Sequence, residues 1–281
     1  MVNNLQHSTC YRYSRRGQPL FTQAWQPALE PRLTLGLVHG LGEHSGRYAA
    51  MARVLNQAGI GVVSYDQPGH GRTGGVLPAF ASLQEELEAF VDWLRGEFRC
   101  PLILFGQSLG GCQVLHQALR HPESCTAVVA SSPLLMTTTP PPPWKLLIAQ
   151  SLGRWWPNLT LPNGIDPDDL SHDPESVKEF REDRLIRHRI SVALGLSMLE
   201  AGRWVLGHAE QLAIPTLLMH GTADRITSAA SSELFARRAG PRCHLRLWAG
   251  LYHELHFETE RAEILGWLIR WLLTQADPTT A

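Results

Sequence analysis

The sequence predicts an α/β fold, a mostly parallel sheet covered by helices on both faces. Three observations predict it. Short, near-continuous apolar runs recur at Leu33–Val38, Ile60–Tyr65 and residues 127–130, as strands buried on both faces require. Helical periodicity falls between them, the alternation expected of parallel strands joined by crossover helices. Residues 101–111 then run an apolar strand into Gly106-Gln107-Ser108-Leu109-Gly110, and helical spacing follows from 112 to 120.

Taken in order, residues 9–13 and 20–25 alternate loosely around Arg16-Gly17 and read as an antiparallel hairpin. Leu33–Val38 ends in His39-Gly40-Leu41-Gly42-Glu43-His44-Ser45-Gly46-Arg47-Tyr48. A helix follows, with Tyr48, Met51, Ala52 and Leu55 on one face and Gly59 as its stop. After Ile60–Tyr65 comes Asp66-Gln67-Pro68-Gly69-His70-Gly71-Arg72, which lacks the Lys-Ser/Thr pair of a phosphate loop and reads as structural. Ser82-Leu83-Gln84-Glu85 reads as a capping box opening a helix to about Phe98. The later strands are 215–221 and 244–248, with helices over about 228–239 and 260–274.

The rhythm breaks between 136 and 211, so the sequence divides into a core of residues 1–135 and 212–281 and a helical cap of residues 136–211 inserted between two strands. The insertion opens with three threonines and four prolines, a stiff extended lead. Trp144, Leu147, Ile148, Ser151, Leu152 and Trp155 then fall on one helical face. A second apolar helix spans about 190–205, after a charged stretch at 179–189. Such faces serve either as packing elements or as apolar surface offered to a greasy substrate or a membrane.

Composition narrows the function. With 281 residues, 44% hydrophobic and a net charge of −1, the chain has a sizeable core and no basic stripe for nucleic acid. Its five cysteines, Cys10, Cys100, Cys112, Cys125 and Cys243, are odd in number and lack metal-ligand spacing. They read as reduced, mostly buried thiols of a cytoplasmic protein that needs no metal or cofactor. No leader-like apolar segment is read at the N-terminus, and no apolar run reaches membrane-spanning length.

The chemistry starts at Ser108. A strand–turn–helix carrying Gly-x-Ser-x-Gly holds its serine in a strained conformation above the sheet, and close packing leaves no room for a Cβ at Gly106 or Gly110. A neutral hydroxyl is a poor nucleophile and needs a base, which in turn needs an acid to orient it. On this architecture the order is serine, acid, histidine, each after a strand. Asp224 follows the strand ending at Gly221, and His253 follows the one ending at Trp248. Asp166, Asp168, Asp169, Asp173 and Asp183 lie in the charged insertion and read as a solvated face, while His256 is the alternative base. The oxyanion donors are read as the backbone N–H groups of Leu109 and Leu41.

These segments, with Gly221-Thr222-Ala223-Asp224-Arg225-Ile226 and Tyr252-His253-Glu254-Leu255-His256, resemble the monoacylglycerol lipase and lysophospholipase branch of the α/β-hydrolases over nearly the whole chain. Pro157-Asn158-Leu159-Thr160-Leu161 and Asp183-Arg184-Leu185-Ile186 resemble that family's cap. The resemblance implies the α/β-hydrolase fold with an eight-stranded sheet. It also implies hydrolysis of a fatty-acyl ester, an apolar acyl channel under the cap, and alcohol-end binding by Glu43, Arg47 and His256, while the face from Trp144 to Trp155 suggests transient contact of the cap with a membrane surface. Thr227 stands where the mammalian members have a cysteine, and Gln107 where the family often has histidine. Alternatives are a peptidase of the proline-iminopeptidase type, with Glu43 receiving a free amino terminus, a short-chain carboxylesterase, and a low-turnover ligand-binding protein of the same fold.

Overall fold

The computed structural model describes residues 6–15 and 17–276. Arg16 of the expected turn and the first five residues lie outside the described residues. The strands are β1 (Gln6–Tyr13), β2 (Pro19–Gln26), β3 (Leu33–Val38), β4 (Ile60–Tyr65), β5 (Leu102–Gln107), β6 (Ala127–Ser131), β7 (Thr160–Pro162), β8 (Arg189–Ser191), β9 (Thr216–Gly221) and β10 (Cys243–Trp248). The α-helices are α1 (Ala49–Gln57), α2 (Phe80–Glu97), α3 (Leu109–Arg120), α4 (Pro143–Trp155), α5 (Pro174–Glu182), α6 (Val192–Gly207), α7 (Ala229–Ala239) and α8 (Arg261–Ala276).

Eight strands form one sheet in the order β1-β2-β4-β3-β5-β6-β9-β10. The β1–β2 and β2–β4 pairs are antiparallel and the rest parallel. Every residue of β3, β4, β5, β6 and β9 is buried, because helices cover both faces. On one face α2, α3, α6 and α7 bury Phe90, Leu115, Val205 and Phe235. On the other, α1 and α8 bury Leu55, Ile264 and Leu268. The carboxyl ends of the parallel strands are left open for a site.

Two local expectations are corrected. Helix α2 begins at Phe80, two residues before the expected capping box, and its N-cap Ala79 makes no side-chain cap. The Phe80 N–H instead donates to Ser197 Oγ at 2.9 Å, so α6 caps α2 across the interface. Only Cys112 and Cys125 of the five free cysteines are buried; Cys10 is exposed and the other two are half-buried.

The orientation of α4, which the sequence left open, is settled by its burial pattern. The helix forms where expected, yet none of its residues is buried. Trp144, Leu147, Ile148 and Trp155 face outward, and Leu146, Ala149 and Gly153 face inward. The reason is steric: a Cβ at Gly153 would sit 3.3 Å from side-chain carbons of Leu196 and Val192, so the helix approaches α6 on its small-residue side.

The insertion is tied to the core at its edges. The Arg187 N–H donates to the Gly42 carbonyl at 2.7 Å, and His44 Nε2 donates to Asp183 Oδ2 at 2.7 Å. Asp169 and Asp173 pair with Arg225 and Arg261 of the core, so these aspartates are braces between the two parts. Among the described residues, no helix is long and apolar enough to cross a membrane.

Candidate active site

The site begins at the β5–α3 turn. Ser108 takes φ +54° and ψ −112°, a region that costs an L-residue about 1–3 kcal/mol and persists only where the surroundings enforce it. Here they do. The Ser108 N–H donates to the Ser131 carbonyl at 2.9 Å, and the Ser108 carbonyl accepts from the Cys112 and Leu134 N–H groups. A Cβ at Gly106 would overlap the Gly110 carbonyl, and one at Gly110 would overlap the Val38 carbonyl. Both glycines are therefore required for the turn to sit this close to the sheet.

The loops after β9 and β10 bring the acid and the imidazole together. A Cβ at Gly221 would overlap the carbonyls of Leu251 and Tyr252, so only glycine lets the two loops touch. The Ala223 N–H donates to the Leu251 carbonyl at 3.0 Å and locks them. His253 Nδ1 then lies 2.7 Å from Asp224 Oδ2. Burial alone would raise the Asp224 carboxyl, but the charge of His253 and its hydrogen bonds with His220 and His253 hold it well below the usual 3.8. Burial alone would lower His253, and Asp224 outweighs it, so its imidazole titrates above the usual 6.5. An ionised carboxylate beside Nδ1 fixes the proton there and leaves the Nε2 lone pair free to accept one.

Ser108 and His253 line the same small cavity, about 20 Å³, together with Gly40, Leu41, Leu170 and Phe180. The loop after β3 reaches this point because Gly40 passes beside the serine; a Cβ there would lie 3.3 Å from Ser108 Cβ. Leu41 follows on that loop. Leu109 opens α3, so its N–H has no acceptor within the helix.

The three residues assigned to the alcohol end sit differently from one another. Glu43 lines the cavity, but its oxygens are engaged. Oε1 accepts from the Gly40 N–H at 2.6 Å and from the Tyr48 hydroxyl at 2.7 Å, and Oε2 from Arg47 at 2.7 Å. Burial would raise this carboxyl, yet Arg47 and His39 bring it down to about 2. Arg47 also forks onto Glu254 at 2.5 and 2.7 Å and lies over the rings of Phe180 and Phe257. His256 stacks on Tyr48 at 4.7 Å with both ring nitrogens unpartnered, and burial lowers it to about 3. Arg47 and His256 are not among the cavity walls. The alternative base thus does not line the serine's cavity, and Glu43 braces the Gly40 backbone instead of standing free.

Several participants have no clear mark in the sequence. His220 and Thr227 both approach Asp224 Oδ2, at 3.1 and 2.9 Å. Ser132, at φ +43°, offers its carbonyl to Thr227 Oγ1 at 3.0 Å. His220 lies four residues before the acid, but one of 13 histidines at a strand end gives no signal by itself.

A larger cavity of about 460 Å³ lies between the insertion and the loop after β9, walled by Leu146, Ala149, Ile190, Leu196 and Met198 on one side and by Arg225 and Ile226 on the other. Ile165 lines both it and the cavity holding Ser108, and so stands between them.

Comparison with known proteins adds four findings. The family described as serine aminopeptidase, S33, matches residues 29–260. The chain is 33% identical over 262 residues to an uncharacterized abhydrolase domain-containing protein of Dictyostelium discoideum; the match takes in 91% of this chain and spans 28% of that relative's length. It is 31% identical over 264 residues to a monoacylglycerol lipase of Mycolicibacterium smegmatis, covering 92% of this chain and 94% of that one. Among solved structures, the monoacylglycerol lipase of Paleococcus ferrophilus superposes with a TM-score of 0.81 at 33% identity, over 97% of this chain and 99% of that one.

Proposed function

The chain belongs to the serine aminopeptidase S33 family of α/β-hydrolases, in the branch of the monoacylglycerol lipases, and from that premise we propose that it hydrolyses fatty-acyl esters of glycerol through an acyl-enzyme. The observation that carries this reading is the meeting of a serine held at φ +54° with a carboxylate-bound histidine on one cavity.

Ser108 Oγ attacks the acyl carbonyl while His253 Nε2 takes its proton. Asp224 holds the imidazolium that forms. The Leu41 and Leu109 N–H groups receive the negative oxygen of the tetrahedral intermediate. His253 returns the proton to the departing alcohol, leaving Ser108 esterified. Water then adds with His253 again as base, and collapse of that intermediate releases the fatty acid and restores the serine.

Residues 136–211 act as the cap in this reading, and the cavity of about 460 Å³ takes the acyl chain. The outward face of α4 meets the lipid surface from which substrate is drawn. The unpaired cysteines support a cytoplasmic setting. An aminopeptidase reading needs a free acid for an ammonium group, and Glu43 is already matched by Arg47.

The test is turnover of monoacylglycerols against p-nitrophenyl esters of graded length, with Ser108→Ala alongside. Long-chain monoacylglycerol turnover, lost in S108A while the thermal unfolding transition is kept, is the expected result. Normal turnover by S108A would sink the mechanism. Activity confined to short esters would sink the substrate class.

A further inference from the structure

The catalytic carboxylate serves two imidazoles. Asp224 Oδ1 accepts from the N–H groups of Ile226 and Thr227 at 2.8 and 3.0 Å. Oδ2 lies 2.7 Å from His253 Nδ1 and 3.1 Å from His220 Nε2. A carboxylate has about four lone-pair sites, and these four donors fill them. The Thr227 hydroxyl also reaches Oδ2, at 2.9 Å, and the Ser132 carbonyl, at 3.0 Å.

The tautomer of His220 follows from its surroundings. Its side chain is fully buried between β9, α7 and the acid loop. A bare Nε2 lone pair facing an ionised carboxylate would be repulsive, so Nε2 carries a proton, shared between Asp224 Oδ2 and the Thr227 carbonyl at 3.1 Å. On the other side Nδ1 lies 2.8 Å from Ser232 Oγ on α7, and the serine hydroxyl donates to it. Ser232, His220, Asp224 and His253 form one directed chain of hydrogen bonds that ends at the catalytic base. Such chains polarise one another.

We propose that His220 is a positioning residue for the catalytic acid: with its proton on Nε2 and Ser232 closing Nδ1, it pins Asp224 Oδ2 toward His253. The inference rests on the ester-hydrolase reading above. Without His220, Oδ2 loses the donor that faces it from the side of β9 and α7, and the alignment of the carboxylate with the imidazole is less tightly held. The other charged groups acting on His253, Glu43 and Glu254, make no contact with His220 and hold no part of this restraint.

The experiment compares His220→Gln with His220→Asn. Both are polar amides of similar bulk, but the Gln amide nitrogen reaches the Nε2 position beside Asp224, whereas the Asn amide nitrogen reaches only the Nδ1 position beside Ser232. Ester turnover, the rate of Ser108 labelling by a fluorophosphonate and thermal unfolding are measured for each. The expected result is that H220N loses about tenfold or more in kcat and in labelling rate with KM nearly unchanged, while H220Q recovers most of both. Equal rates for H220N and H220Q, or a wild-type kcat in H220N, would overturn the role of His220. Failure of the wild-type enzyme itself to label would instead overturn the reading of Ser108 as nucleophile. If H220N unfolds, Ser232→Ala takes its place: it keeps the imidazole but frees its tautomer, and it must lower kcat at unchanged KM, since a wild-type value there refutes the chain.

Discussion

Gln107 donates through Nε2 to the backbone carbonyl of His253 at 3.0 Å. The residue before the serine thus holds the loop that carries the base, and the two halves of the site are joined by one buried side chain. Gln107→Ala leaves that carbonyl without its donor. The expected cost is about 1–3 kcal/mol of stability and a several-fold fall in kcat at similar KM. Thermal unfolding and steady-state kinetics read the two effects separately.

The pairing of His253 with Asp224 sets the pH response. His253 must be neutral to act as base, and it titrates above 6.5, so kcat/KM falls on the acid side with a midpoint above that value. Asp224→Asn removes the charge that raises it. The midpoint should then move to lower pH, and turnover should drop by about 10,000-fold. For stability the signs run oppositely. The depressed Asp224 contributes stability fully above its usual 3.8 and loses it as pH falls through its lower folded value. The elevated His253 contributes fully below 6.5 and loses it as pH rises through its folded value. Urea unfolding across pH should place the pair's full contribution between those two ranges.

The sheet and the serine turn were legible because each left a strong local mark. β3 and β4 have the bounds read from their apolar runs, since burial on both faces removes polar interruptions. Gly106 and Gly110 marked the turn because a Cβ at either position would overlap backbone. Periodicity found α4 but could not tell which side faces in, since Gly153 and Ala149, not the tryptophans, meet the inner wall. α5 and the β7–β8 pair were missed, being short and mostly polar. The roles of Glu43 and Arg47 depend on partners as far away as Glu254, 207 residues along the chain from Arg47, and no local pattern carries that.

Glu43 connects this buried ion network to the loop beside the serine. Glu43→Gln keeps the shape but removes the charge facing Arg47, and Glu43→Ala also strips the Gly40 N–H and the Tyr48 hydroxyl of their acceptor. Breaking one partner of a buried pair costs about 3–5 kcal/mol. Chemical denaturation should show E43A destabilised by that order. E43Q should be less affected in stability yet slowed in kcat, because the Gly40–Leu41 backbone loses part of its brace.

Ile165 offers a test of how the two cavities share one substrate. It lines the cavity of Ser108 and the larger apolar cavity. Ile165→Trp narrows the passage between them. Turnover of long-chain monoacylglycerols should fall at least tenfold relative to butyryl esters. Unchanged chain-length preference would mean that the acyl chain takes another route.

The outward face of α4 makes the remaining prediction. Trp144 is 59% exposed, Leu147 64% and Trp155 73%, and Ile148 and Trp156 extend the same surface. A soluble fold gains nothing by presenting such a stripe to water, while a lipid surface would accept it. The helix carries only Lys145 and Arg154 as charged residues, so its attraction to lipid is chiefly apolar and should survive added salt, unlike a polybasic contact. Co-sedimentation with phosphatidylcholine vesicles should detect binding that persists at high ionic strength. Replacing Trp144 and Trp155 by serine removes two of the largest apolar groups and should weaken partitioning by at least about tenfold. Because neither residue lines the cavity of Ser108, turnover of a soluble short-chain ester should be kept, while the apparent KM for vesicle-borne monoacylglycerol should rise. Equal vesicle binding by the wild-type and doubly substituted proteins would assign the stripe no part in lipid contact.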